Sequence, residues 1–402
     1  MQHLQPTREL GDGVVVNKRP DDGALVLMGG FFDGENQARL VNRDGSVVRK
    51  WSLDYFEHFL DAQTRPCRSD TPVQVNAPLG VDTHGMVLTP KGEIVFNYED
   101  CGTVKLDQCG RVMWTLPRNT HHSIIASEAG GYWLLDREKN KATEQPERAA
   151  AFPYATLPED MLVDEVLRID EDGKVLDEFS IPAMMIDNGL EALLTAGAGN
   201  FSKTGKHSWN EIMHVNKVAE LTSDIVGAFP MFKAGDLLIS DRARHLLMVV
   251  DPRTRKVKWH QIGPWLSQHD PEFRPDGKIS VFNNSGYYFF NYDNDNHIKL
   301  STPHTTSIIA IDPATREPEV LFGARSGEEM LSVIRGQHEL LPDGGMLIAE
   351  FDAGRVLEVN ADREIVWEYV NAYDKDYVGE ITNAQLIAPG YLQTEWRQCT
   401  TR

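Results

Sequence analysis

Short runs of alternating apolar and polar residues recur along the whole chain, and turn signals separate them. Residues 278–282 form one such run, directly after the turn Pro275-Asp276-Gly277. Alternation with a period of two places one face of a strand against a core, and two such runs joined by a glycine-containing turn are typical of a β-hairpin. We therefore predict a protein built mainly from antiparallel strands.

A histidine stands at the start of five of these hairpins. Each histidine is followed by a turn and then by an alternating run. After the third histidine, an insertion makes this segment longer. The five residues are His84, His122, His214, His269 and His338. One histidine at such a place could be chance, but five at the same position indicate a repeated structural unit.

A second kind of hairpin follows the first kind. Its turn contains or follows an aspartate, and its last strand often carries a tryptophan, as at Trp114, Trp259 and Trp367. The two hairpins together make a four-stranded meander. Repetition of a supersecondary unit of this size is typical of a β-propeller.

The number of repeats predicts six blades. Five complete units begin at the five histidines, and incomplete units remain at the two ends of the chain. We expect strands at 383–387 and 391–394 to pair with those of residues 24–52, so that one shared blade (24–52 plus 383–396) closes the ring and protects its sheet edges. Insertions occupy 139–160 and 184–210, and the second contains a short helical run at 189–194. Residues 1–402 are thus predicted to form a single all-β domain, a six-bladed β-propeller.

Composition excludes several classes of function. The chain has 40 Lys and Arg against 60 Asp and Glu, and its net charge of −20 argues against nucleic-acid binding. No apolar run approaches the ~18–20 residues needed to span a bilayer, and no signal peptide is visible. The four cysteines are too few for a disulfide scaffold; Cys101 and Cys109 could bridge across a hairpin, or both could be thiols.

The repeated position of the histidines suggests where they meet. In a propeller the first strand of each blade lines the central channel, so we expect the five histidines to converge there, with Asn383 at the sixth position. Converging imidazoles suit metal binding, acid–base catalysis or nucleophilic attack. His121 should point to the opposite strand face from His122 and have a structural role.

Several motifs resemble those of bacterial aryl-sulfate sulfotransferases. They occur in the same order from about residue 81 to residue 392: Pro117-Arg118-Asn119-Thr120-His121-His122-Ser123, His214-Val215-Asn216, Asp236-Leu237-Leu238-Ile239-Ser240-Asp241-Arg242, Gln268-His269-Asp270-Pro271 and Ile365-Val366-Trp367-Glu368-Tyr369-Val370-Asn371. The resemblance implies a six-bladed propeller that moves a sulfuryl group from a phenolic sulfate ester to a phenol without a nucleotide donor. It implies no cofactor, small-molecule substrates, and an exported, for example periplasmic, location.

The resemblance also implies roles for individual residues. It assigns the transient sulfohistidine to His269, and sulfate binding to His122, His214 and Arg242. From their chemistry, His122 or His214, when protonated, could also donate a proton to the leaving phenolate and recover it from the acceptor phenol. Asn216 is implied as a further sulfate ligand, and His84 and His338 are expected to bind substrate in the channel. Asp241 precedes Arg242, where the family usually has serine.

The chemistry of these residue types agrees with that assignment. Sulfuryl transfer spreads negative charge over oxygens, and the planar donor fork of Arg242 and the amide of Asn216 can stabilise it. An unprotonated His269 is a competent nucleophile, and a covalent intermediate gives ping-pong kinetics.

Two other classes of function remain open at this point. The first is a metal-dependent propeller hydrolase or lyase that uses the channel histidines as ligands. The second is a propeller that binds a ligand without catalysis. We expect no resident metal, because the chain shows no helical His-x-x-x-His spacing.

Overall fold

The computed structural model describes residues 3–59, 66–67, 71–72, 81–139, 162–194, 213–285, 288–289, 299–300, 306–397 and 399. Six antiparallel sheets account for most of these residues, and we call the sheets blades 1 to 6. The described parts of the predicted insertions carry two short helices, of which Glu191–Leu194 confirms the expected helical run and Ile181–Asp187 precedes it. Residues 140–160 and 195–210 of the insertions lie outside the described residues.

Every blade contains four strands, which follow one another from the channel outward. Blade 1 has Ile381–Ile387, Leu25–Phe32, Glu35–Val41 and Val47–Ser52; blade 2 has Thr83–Leu88, Ile94–Tyr98, Gly102–Leu106 and Val112–Leu116; blade 3 has His121–Ala126, Tyr132–Lys139, Leu162–Ile169 and Val175–Ser180. Blade 4 has Val215–Glu220, Leu237–Asp241, Leu246–Asp251 and Lys256–Ile262; blade 5 has His269–Phe273, Ile279–Asn283, Ser307–Ile311 and Pro318–Phe322; blade 6 has Gln337–Leu340, Met346–Glu350, Arg355–Val359 and Ile365–Val370.

The remaining elements are short. Gly13–Asn17 adds a fifth, outermost strand to blade 6, and three two-stranded ladders pair Leu4–Pro6 with Tyr377–Gly379, Pro66–Cys67 with Thr71–Pro72, and Tyr288–Phe289 with Lys299–Leu300. The other helix is Tyr55–His58, and the 3-10 helices are Val226–Ala228, Arg242–Arg244, Phe351–Ala353 and Thr394–Arg397. No helix in the described part of the chain has the length and apolar character to cross a bilayer.

The six blades form a closed ring. The innermost strand of each blade contacts the innermost strands of both neighbours, in the order 1-2-3-4-5-6 and back to 1. The middle strands are buried on both faces, as in Leu246–Asp251, because each sheet lies between two others. The outermost strands, such as Val175–Ser180, keep exposed positions. The prediction of a six-bladed propeller is confirmed.

The predicted pairing inside the shared blade is partly wrong. The carboxyl-terminal region supplies one strand, Ile381–Ile387, which pairs with Leu25–Phe32, and the amino-terminal region supplies the other three. Residues 391–394 do not add a second strand, since the turn at Gly390 sends the chain toward blade 2. There Tyr391 donates to the Leu88 carbonyl at 2.6 Å and the Gln393 amide donates to the Pro90 carbonyl at 2.8 Å.

A tryptophan on the fourth strand, counted from the channel, links four of the blades to the next blade in the ring. In each case the indole Nε1 donates a hydrogen bond to a backbone carbonyl in the turn between the two outer strands of that next blade. The pairs are Trp51 to Asp107 at 3.2 Å, Trp114 to Glu171 at 2.9 Å, Trp259 to Pro313 at 2.9 Å and Trp367 to Arg43 at 2.8 Å. We call these contacts the tryptophan links.

A disulfide joins Cys109, in the outer turn of blade 2, to Cys399, with 5.5 Å between the two Cα atoms. Cys101 is also disulfide-bonded, and neither Cys101 nor Cys109 is a free thiol. Both alternatives for Cys101 and Cys109 are therefore wrong, because the carboxyl-terminal tail reaches Cys109 from 290 positions away in sequence.

Candidate functional site

In blades 2 to 5, the pairing between the first and second strands is irregular near the channel histidines. The register of the inner pair shifts between Thr83 and Met86, between His121 and Ile124, between Val215 and Lys217, and between His269 and Glu272. Such bulges re-aim side chains that a regular strand would place on alternating faces. His122 and Asp270 reach this geometry with a φ of 48°, in the left-handed region.

Three of the predicted histidines are packed edge to face at the start of blades 2, 3 and 4. The ring centres of His84 and His122 are 4.5 Å apart, and those of His122 and His214 are 5.0 Å apart. Burial, together with neighbouring cationic groups, lowers the pKa of His84 and of His122 well below the usual value. Both rings are therefore neutral at pH 7.

Glu99, which sequence reasoning missed, contacts two of these rings. Its carboxylate oxygens lie 3.2 Å from Nδ1 of His84 and 3.4 Å from Nδ1 of His122. The opposite nitrogen of His84, Nε2, is buried and has no hydrogen-bond partner among the described residues. Nothing in the local sequence distinguishes Glu99 from the other turn carboxylates.

His269 is held through one ring nitrogen. Its Nδ1 donates to Oδ1 of Asn284 at 2.8 Å and also lies 3.2 Å from the Ser267 carbonyl. The Asn284 amide nitrogen donates to the carbonyls of Ser332 and Arg335, at 2.8 and 2.7 Å, so the amide oxygen must be the atom that faces His269. The proton of the neutral ring is thus on Nδ1, and Nε2 carries a lone pair.

Hydrogen bonds join the motif residues His214, Asp241 and Arg242 of blade 4 to one another. One oxygen of buried Asp241 accepts from the His214 amide at 3.1 Å and from the Ala243 amide at 3.0 Å, and the Arg242 amide donates to the His214 carbonyl at 3.0 Å. Asp241 thus caps the short helix Arg242–Arg244. Burial and, next, the charge of Arg242 lower the pKa of His269 well below its usual value.

Asn216 lies beside the backbone of the predicted nucleophile. Its amide nitrogen donates to the Gln268 carbonyl at 2.7 Å. Its Oδ1, like Oδ1 of Asn383, is buried without a hydrogen-bond partner among the described residues. Both side chains line the same cavity as His84.

His338 lines the same cavity as His84, but its ring is bonded to blade 5. Its ring is fully buried, with Nε2 at 2.7 Å from the Ser280 hydroxyl and Nδ1 at 3.3 Å from Asp270. The same carboxylate accepts from the His338 amide at 2.7 Å and pairs with Lys217 at 2.6 Å. The inner strand of blade 6 has no shift in register, which is why His338 faces blade 5.

A cavity of about 480 Å³ runs along the axis, and residues from all six inner strands line it. His84, His122 and His269 form part of its wall, and so do two cations that sequence reasoning missed, Lys217 and Arg335. Both cations are paired with carboxylates: Lys217 with Asp270 and Glu272, and Arg335 with Asp82 and Glu380. The only sequence signal for Lys217 was its place one residue after Asn216.

Two groups of described residues have the composition of a metal site. Ligand-type atoms of His84, Glu99 and His122 lie within 4.8 Å of one another, as do those of His3, Asp82 and Glu380. In the first group, however, Nδ1 of His122 is also only 2.9 Å from Nδ1 of His121, so a proton must lie between these two nitrogens. In the second, Arg335 pairs with both carboxylates. We interpret both groups as hydrogen-bonded clusters.

The match to a protein family agrees with this arrangement. The family model described as Arylsulfotransferase (ASST) matches residues 85–372 of the chain. The chain belongs to the arylsulfotransferase family. The predicted family is thereby confirmed, and the propeller with its buried histidines is an arylsulfotransferase-like protein. A search of curated proteins finds no match.

Several solved structures are similar to the chain. A protein of unknown function from Bacteroides caccae is 12% identical, with a TM-score of 0.53 over 90% of this chain and 98% of that one. A streptogramin B lyase is 10% identical, with a TM-score of 0.42 over 89% and 87% of the two chains. The virginiamycin B lyase from Staphylococcus aureus is 10% identical, with a TM-score of 0.36 over 72% and 71%. The first likeness shows the fold alone.

Proposed function

We propose that this arylsulfotransferase family member moves a sulfuryl group from an aryl sulfate to a phenol through a sulfohistidine at His269. The observation that carries the proposal is the fixed orientation of this ring. Asn284 accepts the proton of Nδ1 at 2.8 Å, and Nε2 has no hydrogen-bond partner among the described residues. A neutral imidazole with a free lone pair on a cavity wall is ready to attack sulfur.

The neighbouring rings supply the other requirements of the reaction. His122 and His214 are proposed to donate protons or hydrogen bonds to the sulfate and the leaving phenol, and Arg242 to stabilise the charge that develops on the sulfate oxygens. His84 and Asn216 are proposed substrate ligands, because each presents a buried polar atom without a partner at the cavity, among the residues that the structure describes. His338 acts on the same site through Asp270, the residue next to His269.

The setting of the protein follows from the same proposal. Its partners are small aryl sulfates and phenols and not nucleic acid, and the reaction needs no cofactor. We propose a periplasmic or other exported location, since arylsulfotransferases are generally exported and the Cys109–Cys399 disulfide is typical of oxidising compartments.

Trapping the intermediate tests the proposal. The protein is incubated with 4-nitrophenyl sulfate and no acceptor, quenched at alkaline pH and digested. We expect about 80 Da of added mass, one sulfuryl group, on the peptide that contains His269. His269→Ala should abolish both the adduct and turnover with phenol, while His260→Ala, on an outermost strand, should leave both unchanged.

Two results would contradict this mechanism. An adduct on His84 or His122 would move the nucleophile to another ring. Absence of an adduct, with activity that a chelator removes and a divalent metal restores, would favour a metal-dependent reaction at His84, Glu99 and His122.

A further inference from the structure

A second buried histidine lies directly behind His122, on the side away from the cavity. Nδ1 of His121 is 2.9 Å from Nδ1 of His122, and Nε2 of His121 is 3.3 Å from Oδ1 of Asp164. His121 is fully buried. Strict alternation would have turned these two neighbours to opposite faces, but the register shift between His121 and Ile124 brings their ring nitrogens together.

The charges of the described residues around His121 favour its cationic form. Asp164 accepts from Arg137 at 2.9 Å and from the Val215 amide at 3.0 Å, and Arg137 also pairs with Asp100 at 3.0 Å. Two buried carboxylates thus face one arginine and His121. Since an uncompensated buried charge is very unfavourable, the second positive charge belongs on His121.

The other ionisable groups near His121 do not change this balance. Asp136 is paired with Arg118 at 2.6 Å. Glu99 lies 3.4 Å from Nδ1 of His122, the nitrogen that faces His121, and its negative charge also favours a positive charge on His121. The nearby ring of His84 is neutral.

The direction of the pKa shifts agrees with a charged His121. Burial and Arg137 would lower the pKa of His121, but the contacts with Asp164 and the charge of Asp100 outweigh them and raise it. Burial alone would raise the pKa of Asp164, but Arg137 and His121 hold it well below its usual range. The pKa of His122 is lowered, so the shared proton belongs to His121.

We infer that His121 is a positioning residue and proton reserve for His122: it donates its Nδ1 hydrogen to Nδ1 of His122 and thereby directs the Nε2 hydrogen of His122 toward the substrate. The inference rests on the proposed sulfuryl transfer. It explains how a neutral histidine can protonate a leaving phenolate without becoming an anion, because His121 replaces the proton as it leaves.

The transfer balances in both half-reactions. In the first, Nε2 of His269 bonds to sulfur, the bond between sulfur and the aryl oxygen breaks, and that oxygen takes the Nε2 proton of His122. His122 takes the Nδ1 proton of His121, whose remaining proton stays on Nε2 beside Asp164. In the second, the oxygen of the acceptor phenol bonds to sulfur, the bond between sulfur and Nε2 of His269 breaks, and the phenol gives its proton to Nε2 of His122. The Nδ1 proton of His122 then returns to Nδ1 of His121.

Donors with different leaving groups test this role. His121→Gln removes the proton reserve, and the readout is the single-turnover rate of phenol release without acceptor. For phenyl sulfate, whose phenolate is a strong base, we expect a loss of about 100-fold. For 4-nitrophenyl sulfate, whose phenolate needs no proton to leave, the loss should be at least about tenfold smaller. His58→Gln, at a buried histidine that bonds Tyr98, is the matched control and should slow both donors equally.

Equal losses for both donors in His121→Gln would overturn the inference and leave His121 with a structural role. A second measurement does not depend on turnover. In ¹⁵N-histidine NMR spectra, His121 should keep both ring protons at pH 6.5, where a free histidine has lost about half of its charge, and His122 should carry one proton, on Nε2. A neutral His121 at that pH overturns the inference even if sulfuryl transfer is real. The expected spectra together with no transfer activity would instead reject only the proposed function.

Discussion

Single atoms decide the chemistry of this channel more than residue types do. His122 and His269 are both neutral histidines, yet His122 faces a proton donor through Nδ1 and His269 faces an acceptor through Nδ1. Their Nε2 atoms therefore differ: one carries a hydrogen and the other a lone pair. We propose that the same side chain thus serves as acid in one blade and as nucleophile in another.

The strongest test at the residue scale concerns Arg242. Arg242→Lys keeps the charge but loses the planar two-donor fork, so kcat/KM with an aryl sulfate should fall about 100-fold, on the order of 3 kcal/mol. Steady-state kinetics with phenol as acceptor measure this loss. Arg253→Lys, at an exposed turn of the same blade, should keep wild-type kinetics. Wild-type kinetics in Arg242→Lys would remove this guanidinium from the site.

At this scale, local sequence showed only part of the site. The five histidines, Asn216 and Arg242 stand out because a repeat or a motif marks them. Asn284 and Glu99 carry no such mark, since their importance depends on which side chains the ring brings to them. His338 shows the reverse case: its place in the repeat is regular, but the missing register shift in its blade turns it toward Ser280.

The local pattern of apolar and polar residues predicts individual strands, but it does not predict which strands pair where the ring closes. The blade that begins at His84 was predicted correctly because its four strands are consecutive in sequence. The closing blade joins residues more than 300 positions apart. The alternation in residues 391–394 does not show whether a strand there would find a free sheet edge to pair with. Hydrogen bonds of Tyr391 and Gln393 to blade 2 show that it does not.

The tryptophan links give a test at the scale of the blades. Trp259 is buried, and its indole donates to the Pro313 carbonyl. Trp259→Phe removes this donor and leaves the carbonyl unpaired, so it should lower the unfolding free energy by about 2 kcal/mol. Trp114→Phe should cost less than half as much, because its link to Glu171 is exposed and water can replace it. Urea unfolding followed by circular dichroism compares the two. Equal costs would show that the links act through ring packing alone.

Two further contacts replace the tryptophan link where it is absent. Blade 3 presents Asp177 to Arg255 of blade 4 at 2.7 Å, and blade 5 presents the Val320 carbonyl to Arg363 of blade 6 at 3.3 Å. Neighbouring blades are therefore joined at their outer rims around the whole ring, by an indole in four cases and by an arginine in two.

The behaviour of the whole molecule depends on how its ends are joined. Strand Gly13–Asn17 lies on blade 6, residues 25–52 build blade 1, and the Cys109–Cys399 disulfide ties the tail to blade 2. The two terminal segments are thus attached to three consecutive blades, 6, 1 and 2. We propose on this basis that residues 1–402 are one domain and unfold in a single transition.

Removing the disulfide tests this view. Cys399→Ser should lower the unfolding free energy by about 2–4 kcal/mol, because a cross-link over 290 positions restricts the unfolded chain, and one transition should remain. Cys109→Ser with Cys399→Ser should cost no more than either change alone, since both remove the same bond. Calorimetry without reductant measures both variants. Two separate transitions in the wild type, or additive losses, would contradict the single domain.

The closure of blade 1 also sets when the site can exist during synthesis. One of the six walls of the cavity, with Asn383, belongs to the strand Ile381–Ile387, which is made after all the others. At about 5–20 residues per second, the first 380 residues take roughly 20–80 s to appear, and throughout that time the ring has a gap. The histidines of blades 2 to 6 are therefore made while the cleft is still open, and the enclosed cavity forms only once the strand Ile381–Ile387 has been made and has paired.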